Sequence, residues 1–182
     1  MLGRTRREER RDERQTFGVG GGVARYRMKE KLLSVGDDSW IEDGSGHKAF
    51  KVDGKLLRLR KTLVVEDQHG HELFTIQARV AHVRDVMEIE GPDGHTVATV
   101  KKAMIRPMRE RFTVDVAGGG QMSAQGNVVG HEFDIEADGT KVAEVSKKWF
   151  RIRESYGIEV APGQNDALVL AVAVCIDEMS GD

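Results

Sequence analysis

Residues 167–176, ALVLAVAVCI, carry no polar side chain beyond the near-apolar thiol of Cys175, although the chain around them is heavily charged. As a helix these ten residues reach about 15 Å, roughly half the thickness of a bilayer core, so they make no membrane span. An element apolar on every side must instead be enclosed by protein. Its flanks favour a helix: Pro162-Gly163 breaks the chain, Asn165 is a good N-cap, and Asp166 suits the positive end of a helix dipole. The β-branched Val169, Val172 and Val174 keep a buried strand open as the alternative. In either form the rest of the chain has to build a wall around it.

The wall is written as a repeat. EDGSGHKAFKV (42–52), EDQHGHELFTI (66–76), EGPDGHTVATV (90–100) and EADGTKVAEV (136–145) each join an acidic residue to a Gly-containing turn and then to an alternating strand. Gly46, Gly70 and Gly94 are evenly spaced, and one further step lands in the glycines at 118–120. Such turns between alternating runs signal hairpins, because glycine supplies the positive φ that tight turns need. Counting from RYRMKEKLL to ESYGIEV gives roughly twelve strands, which form a large open sheet or a closed barrel. Twelve strands about 4.8 Å apart, tilted by about 40°, close into a ring some 24 Å across. Inward side chains leave a channel of about 10–14 Å, the diameter of one helix. The expected fold is mainly β: a closed antiparallel barrel of about twelve strands around a central hydrophobic C-terminal α-helix, with Cys175 and Met179 inside it or at its mouth.

With 182 residues, one domain is expected over 25–182, preceded by a charged leader and glycine linker over 1–24. The 28 basic and 30 acidic residues give a net charge of −2, so no global attraction to nucleic acid is expected and any anion must be met locally. The single cysteine reads as a core residue of a reducing compartment, and the N-terminal stretch has no apolar signal region. A cytoplasmic monomer, peripheral to membranes where it meets them, is the expectation. The leader's RTRREERRDER mixes both signs and is a candidate arm for a protein partner.

The stretch VAEVSKKWFRIRESYGIEVAPGQNDALVLAVAVCIDEM (142–179) resembles the C-terminal signature of the LURP-one-related proteins, which share the tubby C-terminal-like fold with phospholipid scramblases. RYRMKEKLLSVGDDSWIEDGSGHKAFKVDGK (25–55) is similar to that family's opening, so the likeness covers roughly residues 25–179. The resemblance implies a twelve-stranded barrel around a buried terminal helix. It implies little biochemistry, and through tubby-type relatives it points toward phosphoinositide or membrane-surface binding. The Arg/Glu-rich leader is a departure from the family pattern.

Reaction chemistry finds no support. His47, His71 and His95 follow the turn glycines, but equivalent positions two strands apart lie about 10 Å from each other, too far to share one ion. GVGGG at 18–22 opens no helix and reads as a linker, and the nucleophiles Ser34, Ser123, Ser146 and Cys175 have no partner histidine in a known motif. A non-enzyme with no cofactor and no metal is expected.

One constellation remains. In an up-and-down barrel the Asp-Gly turns share one rim, and the links between repeats share the other. Those links are read as basic: Arg58, Arg60 and Lys61; Arg79 and Arg84; Lys101, Lys102, Arg106, Arg109 and Arg111; Lys147, Lys148, Arg151 and Arg153. They hold half of the 28 basic residues, while Asp43, Asp67, Asp93 and Asp138 occupy the opposite rim. Exposed loop cations of this kind contribute little to stability. As a set they suit an anionic membrane surface or a phosphorylated ligand, with Trp149 and Phe150 as an interfacial anchor. A scaffold or regulatory protein-interaction domain without a lipid ligand is the alternative.

Overall fold

The computed structural model describes residues 23–29, 38–55, 61–80, 83–106, 109–149 and 154–180. Alternation in the sequence becomes twelve strands: β1 (Ala24–Lys29), β2 (Ser39–Asp43), β3 (Lys48–Gly54), β4 (Thr62–Asp67), β5 (Glu72–Val80), β6 (Val83–Glu90), β7 (Thr96–Arg106), β8 (Arg109–Val116), β9 (Gln121–Asn127), β10 (Glu132–Ala137), β11 (Thr140–Ser146) and β12 (Ser155–Val160). A 3-10 turn (Lys147–Trp149) precedes β12, and one helix, α1 (Asp166–Ser180), ends the described chain. Every strand pairs antiparallel with its sequence neighbours, and β1 closes the barrel on β12, Ala24 opposite Val160 and Lys29 opposite Ser155. The helix reading of 167–176 holds, and the strand alternative does not.

The acidic residue of each repeat has a specific task. In β2–β3, β4–β5, β6–β7 and β10–β11 the register shifts at Glu42, Glu66, Glu90 and Glu136, one or two residues before the turn. The turn glycine adopts positive φ, 83° at Gly70, so each hairpin combines a tight turn with a bulge. Asp67 Oδ1 accepts the backbone N–H groups of His69 (2.8 Å) and His71 (2.9 Å), and its Oδ2 lies 2.9 Å from His71 Nδ1. Asp43 holds Ser45 and His47 in the same way. Each turn histidine is therefore tied to its own aspartate. The His71 N–H, then the His71 ring and the His69 N–H, pull the Asp67 carboxyl down to about 2.

Inward positions of all twelve strands form one apolar core with α1. Met28, Ile41, Val52, Ile76, Ile89, Val100, Phe112, Ile135 and Ile158 are fully buried, as are Val169 to Ile176 and Met179 of the helix. Burying each valine- or leucine-sized side chain contributes about 1.5–3 kcal/mol, so the helix and the wall supply each other's apolar contact. Burial also pushes the Cys175 thiol well above its usual range, which makes it a packing residue. Asn165 caps α1, its Oδ1 accepting from Leu168 N at 3.1 Å, and Tyr26 Oη donates to Asp166 Oδ2 at 2.6 Å. Among the described residues no helix is long and apolar enough to cross a membrane.

Two outcomes follow. Val172→Asp places an unpaired carboxylate in the helix–wall contact at a cost of several kcal/mol, and thermal unfolding should show the midpoint lowered by roughly 10 °C or more. In an acid titration followed by NMR, the Asp67 carboxyl should show a midpoint of about 2. Because its folded value lies below its unfolded one, the stabilisation it gives is complete above the ordinary carboxylate range and is lost as pH falls toward that midpoint.

Candidate anion-binding rim

Strand direction fixes what meets at each end of the barrel. Even-numbered strands run toward the Asp-Gly turns, so β12 ends there, and α1 starts at that rim and runs back through the channel. Its C-terminal turn emerges at the opposite rim, among the links expected to be basic. Of the predicted cations, Arg58, Arg60, Arg151 and Arg153 lie outside the described residues, as does Phe150. Arg84, Arg106 and Arg109 are placed by strand backbone alone.

The remaining cations divide into two groups. Lys61, just ahead of β4, forms an ion pair with Glu178 of α1; the lysine side chain is 45% exposed and the glutamate only 7%. Lys102 donates to the carbonyl of Met179 at 2.7 Å. These two side chains turn toward the helix end. The others turn outward. Lys101 reaches Asp115 on the neighbouring strand at 2.6 Å, Arg111 is exposed on β8, and Arg79 lies 3.6 Å from Glu88. Lys148 is 62% exposed, with Nζ 3.6 Å from Glu132 Oε2. Glu132 also accepts from Ser146 Oγ at 3.0 Å and Lys147 N at 3.1 Å, so one carboxylate sets the turn that presents Lys147 and Lys148.

The structure corrects the sequence reading in two places. Lys101 and Lys102 belong to β7 itself and not to a link; successive strand residues face opposite sides, which sends Lys101 to the outer wall and Lys102 to the barrel mouth. Lys102 is therefore a stabilising contact of the core helix, contrary to its reading as an exposed loop cation. Trp149 is half-buried with the guanidinium of Arg25 over its ring at 5.7 Å, held close to the barrel and not projecting as an anchor.

Sequence reasoning missed the acidic half of this rim. Asp177 and Glu178 end the helix where its dipole is negative, an arrangement that costs stability without counter-charge. His131, in the β9–β10 link at φ 51°, brings Nε2 to 2.5 Å from Asp177 Oδ1 and stacks on Tyr156 at 4.3 Å. The available signal was the pair DE closing an otherwise apolar run. Val129 in the same link, 62% exposed, is the large apolar side chain that stands out into solvent among the described residues.

Comparison with known proteins bears on the fold. The family described as LURP-one-related matches residues 24–177. An X-ray structure of a protein from Arabidopsis thaliana aligns over 85% of this chain and 90% of its own, with a TM-score of 0.63 and 17% sequence identity. No curated protein matches.

The division of the two lysines is testable by differential stability. Lys102→Met leaves the Met179 carbonyl without that donor and should cost roughly 1–3 kcal/mol, about 3–10 °C in midpoint, whereas Lys101→Met, losing an exposed pair, should change it by less than about 1 kcal/mol.

Proposed function

Since this chain belongs to the LURP-one-related family, a twelve-stranded barrel closed around its own C-terminal helix, we propose that it is a non-enzymatic binding module that meets anionic headgroups or a phosphorylated ligand at its basic rim. The observation that carries this proposal is charge segregation in a nearly neutral chain. Asp43, Asp67, Asp93 and Asp138 sit at one end of the barrel, while Lys61, Lys147 and Lys148 belong to the other; Arg58, Arg60, Arg151 and Arg153, outside the described residues, are assigned to the same rim by the sequence reading alone. A net charge of −2 spread evenly would repel an anionic surface; the same charge arranged as a dipole presents one attractive face. Val129 adds an apolar tip on that face.

The arrangement supports recognition more than chemistry. Among the described residues no cluster of three or more His, Cys, Asp or Glu is placed to hold a metal ion. Arginine offers paired donors to a phosphate and lysine a compact charge, so the rim has the donors for phosphate esters.

A second reading has its own observation. Lys61, Lys101 and Lys148 each face a carboxylate of the chain itself, Glu178, Asp115 and Glu132. A rim whose lysines already have internal partners also suits a scaffold that docks another protein.

Sedimentation with phosphatidylserine-rich vesicles separates the two. The headgroup reading expects binding at low salt that weakens as the Debye length shrinks from about 10 Å at 0.1 M toward 3 Å at 1 M. Combined Arg111→Gln and Lys148→Gln, both outward cations, should lower affinity more than about tenfold at about 1 kcal/mol per charge, with the melting midpoint held. A parent protein that ignores these vesicles at low salt removes the headgroup reading and leaves the scaffold.

A further inference from the structure

The end of α1 presents an oddity that the fold alone does not require. A helix C-terminus is already negative, and placing Asp177 and Glu178 there adds two carboxylates in largely buried positions. Buried anions of this kind persist only with polar or charged partners, and the barrel provides partners to this turn from three separate wall segments. Lys61 reaches in from the start of β4 to Glu178, His131 from the β9–β10 link to Asp177, and Lys102 from β7 to the Met179 carbonyl. Neutral residues at 177 and 178 would pack at the barrel mouth without this apparatus.

Two of the three groups that compensate the helix end are also members of the cationic rim. Resting on the headgroup reading above, we propose that the C-terminal turn of α1 is the rim's internal counter-anion: the Glu178 carboxylate and the Met179 carbonyl occupy Lys61 and Lys102, and an incoming phosphate-bearing headgroup competes for the same two ammonium groups. Asp177 stays with His131 and keeps the helix in register while Glu178 and Met179 give way. The rim is thereby self-inhibited, and binding is coupled to loosening of the last helical turn. The outward cations Arg111 and Lys148 make first contact, because neither is turned toward the helix end.

The chemistry of the competition is plain. Carboxylate and phosphate oxygens accept from the same ammonium donors, and a phosphate carries more charge and more acceptor oxygens than the Glu178 carboxylate it replaces. Conversely, removing the Glu178 charge while preserving its shape frees Lys61 without opening a cavity. Glu178→Gln is the variant that does this. Asp138→Asn is its control: the same change in net charge, at an exposed turn on the opposite rim.

The experiment compares full-length parent, Glu178→Gln and Asp138→Asn for binding to phosphatidylserine-rich vesicles and, separately, to a soluble inositol polyphosphate. Self-inhibition expects Glu178→Gln to bind about fivefold more tightly than the parent, the weight of about one added positive charge at an anionic surface, and Asp138→Asn to bind as the parent does. Enhancement with vesicles only assigns the ligand to a lipid surface; enhancement with the soluble ligand as well assigns it to the phosphate group itself. A parent that binds while Glu178→Gln binds no better overturns self-inhibition and leaves the headgroup reading standing. If neither protein binds either probe, both fall together.

Should Glu178→Gln not fold, the parent protein alone decides. Amide hydrogen exchange at residues 177–180 should speed up on saturation with the probe it binds, and unchanged or slower exchange there overturns the coupling.

Discussion

The contact between α1 and the inner wall is the interaction on which everything else here depends. A helix with no polar face is insoluble by itself, and a ring of twelve strands with inward valines, isoleucines and a phenylalanine is equally unfinished without something in its channel. Each supplies the apolar surface the other lacks, which ties barrel size to helix diameter: fewer strands leave no channel, and more leave voids that α1 cannot fill. The hairpin bulges at Glu42, Glu66, Glu90 and Glu136 serve this closure, since they add the local bend that lets a sheet curve onto itself.

Closure with an even number of strands also decides polarity. Because β12 runs toward the Asp-Gly rim, a helix that follows it through a short turn has to travel back through the channel. Its positive end lies among aspartates and beside Tyr26, whose phenol is shifted upward by burial and by its hydrogen bond to Asp166. Its negative end lies beside Lys61, Lys102 and His131. Each end of the helix dipole is thus met by side chains of the wall, Tyr26 at its start and these three at its end.

Local patterns made most of the architecture legible. The repeated acid, turn and alternating strand specify hairpins, and the apolar run at 167–176 specifies what they must enclose; both are properties of contiguous sequence. The rim was legible only as a list of charges. Lys101 and Lys102 are adjacent in sequence yet reach Asp115 and Met179, because strand pleating sends neighbours to opposite faces and a list of charges does not. His131 and Asp177 meet across 46 positions of chain, and Lys61 and Glu178 across more than twice that, so neither pair leaves a local trace. Trp149 looked free beside two lysines, but Arg25, distant in sequence, covers it.

These placements change what a basic rim means. Cations at the mouth of this barrel have a structural task, since a helix that ends in Asp177-Glu178 needs positive charge around it whether or not any ligand exists. Lys61 and Lys102 are accounted for by that task alone. Arg111 and Lys148 are not: Arg111 stands exposed on β8 and Lys148 exposed on the 3-10 turn, where it faces Glu132 and not the helix. Functional weight therefore shifts from the number of basic residues to the direction in which each one faces. The cations turned inward govern whether the helix stays seated, and those turned outward govern what the barrel can meet. Only a ligand that engages both groups could sense the state of the core, and an anion arriving at this rim would encounter them in that order, outer wall first and helix end second.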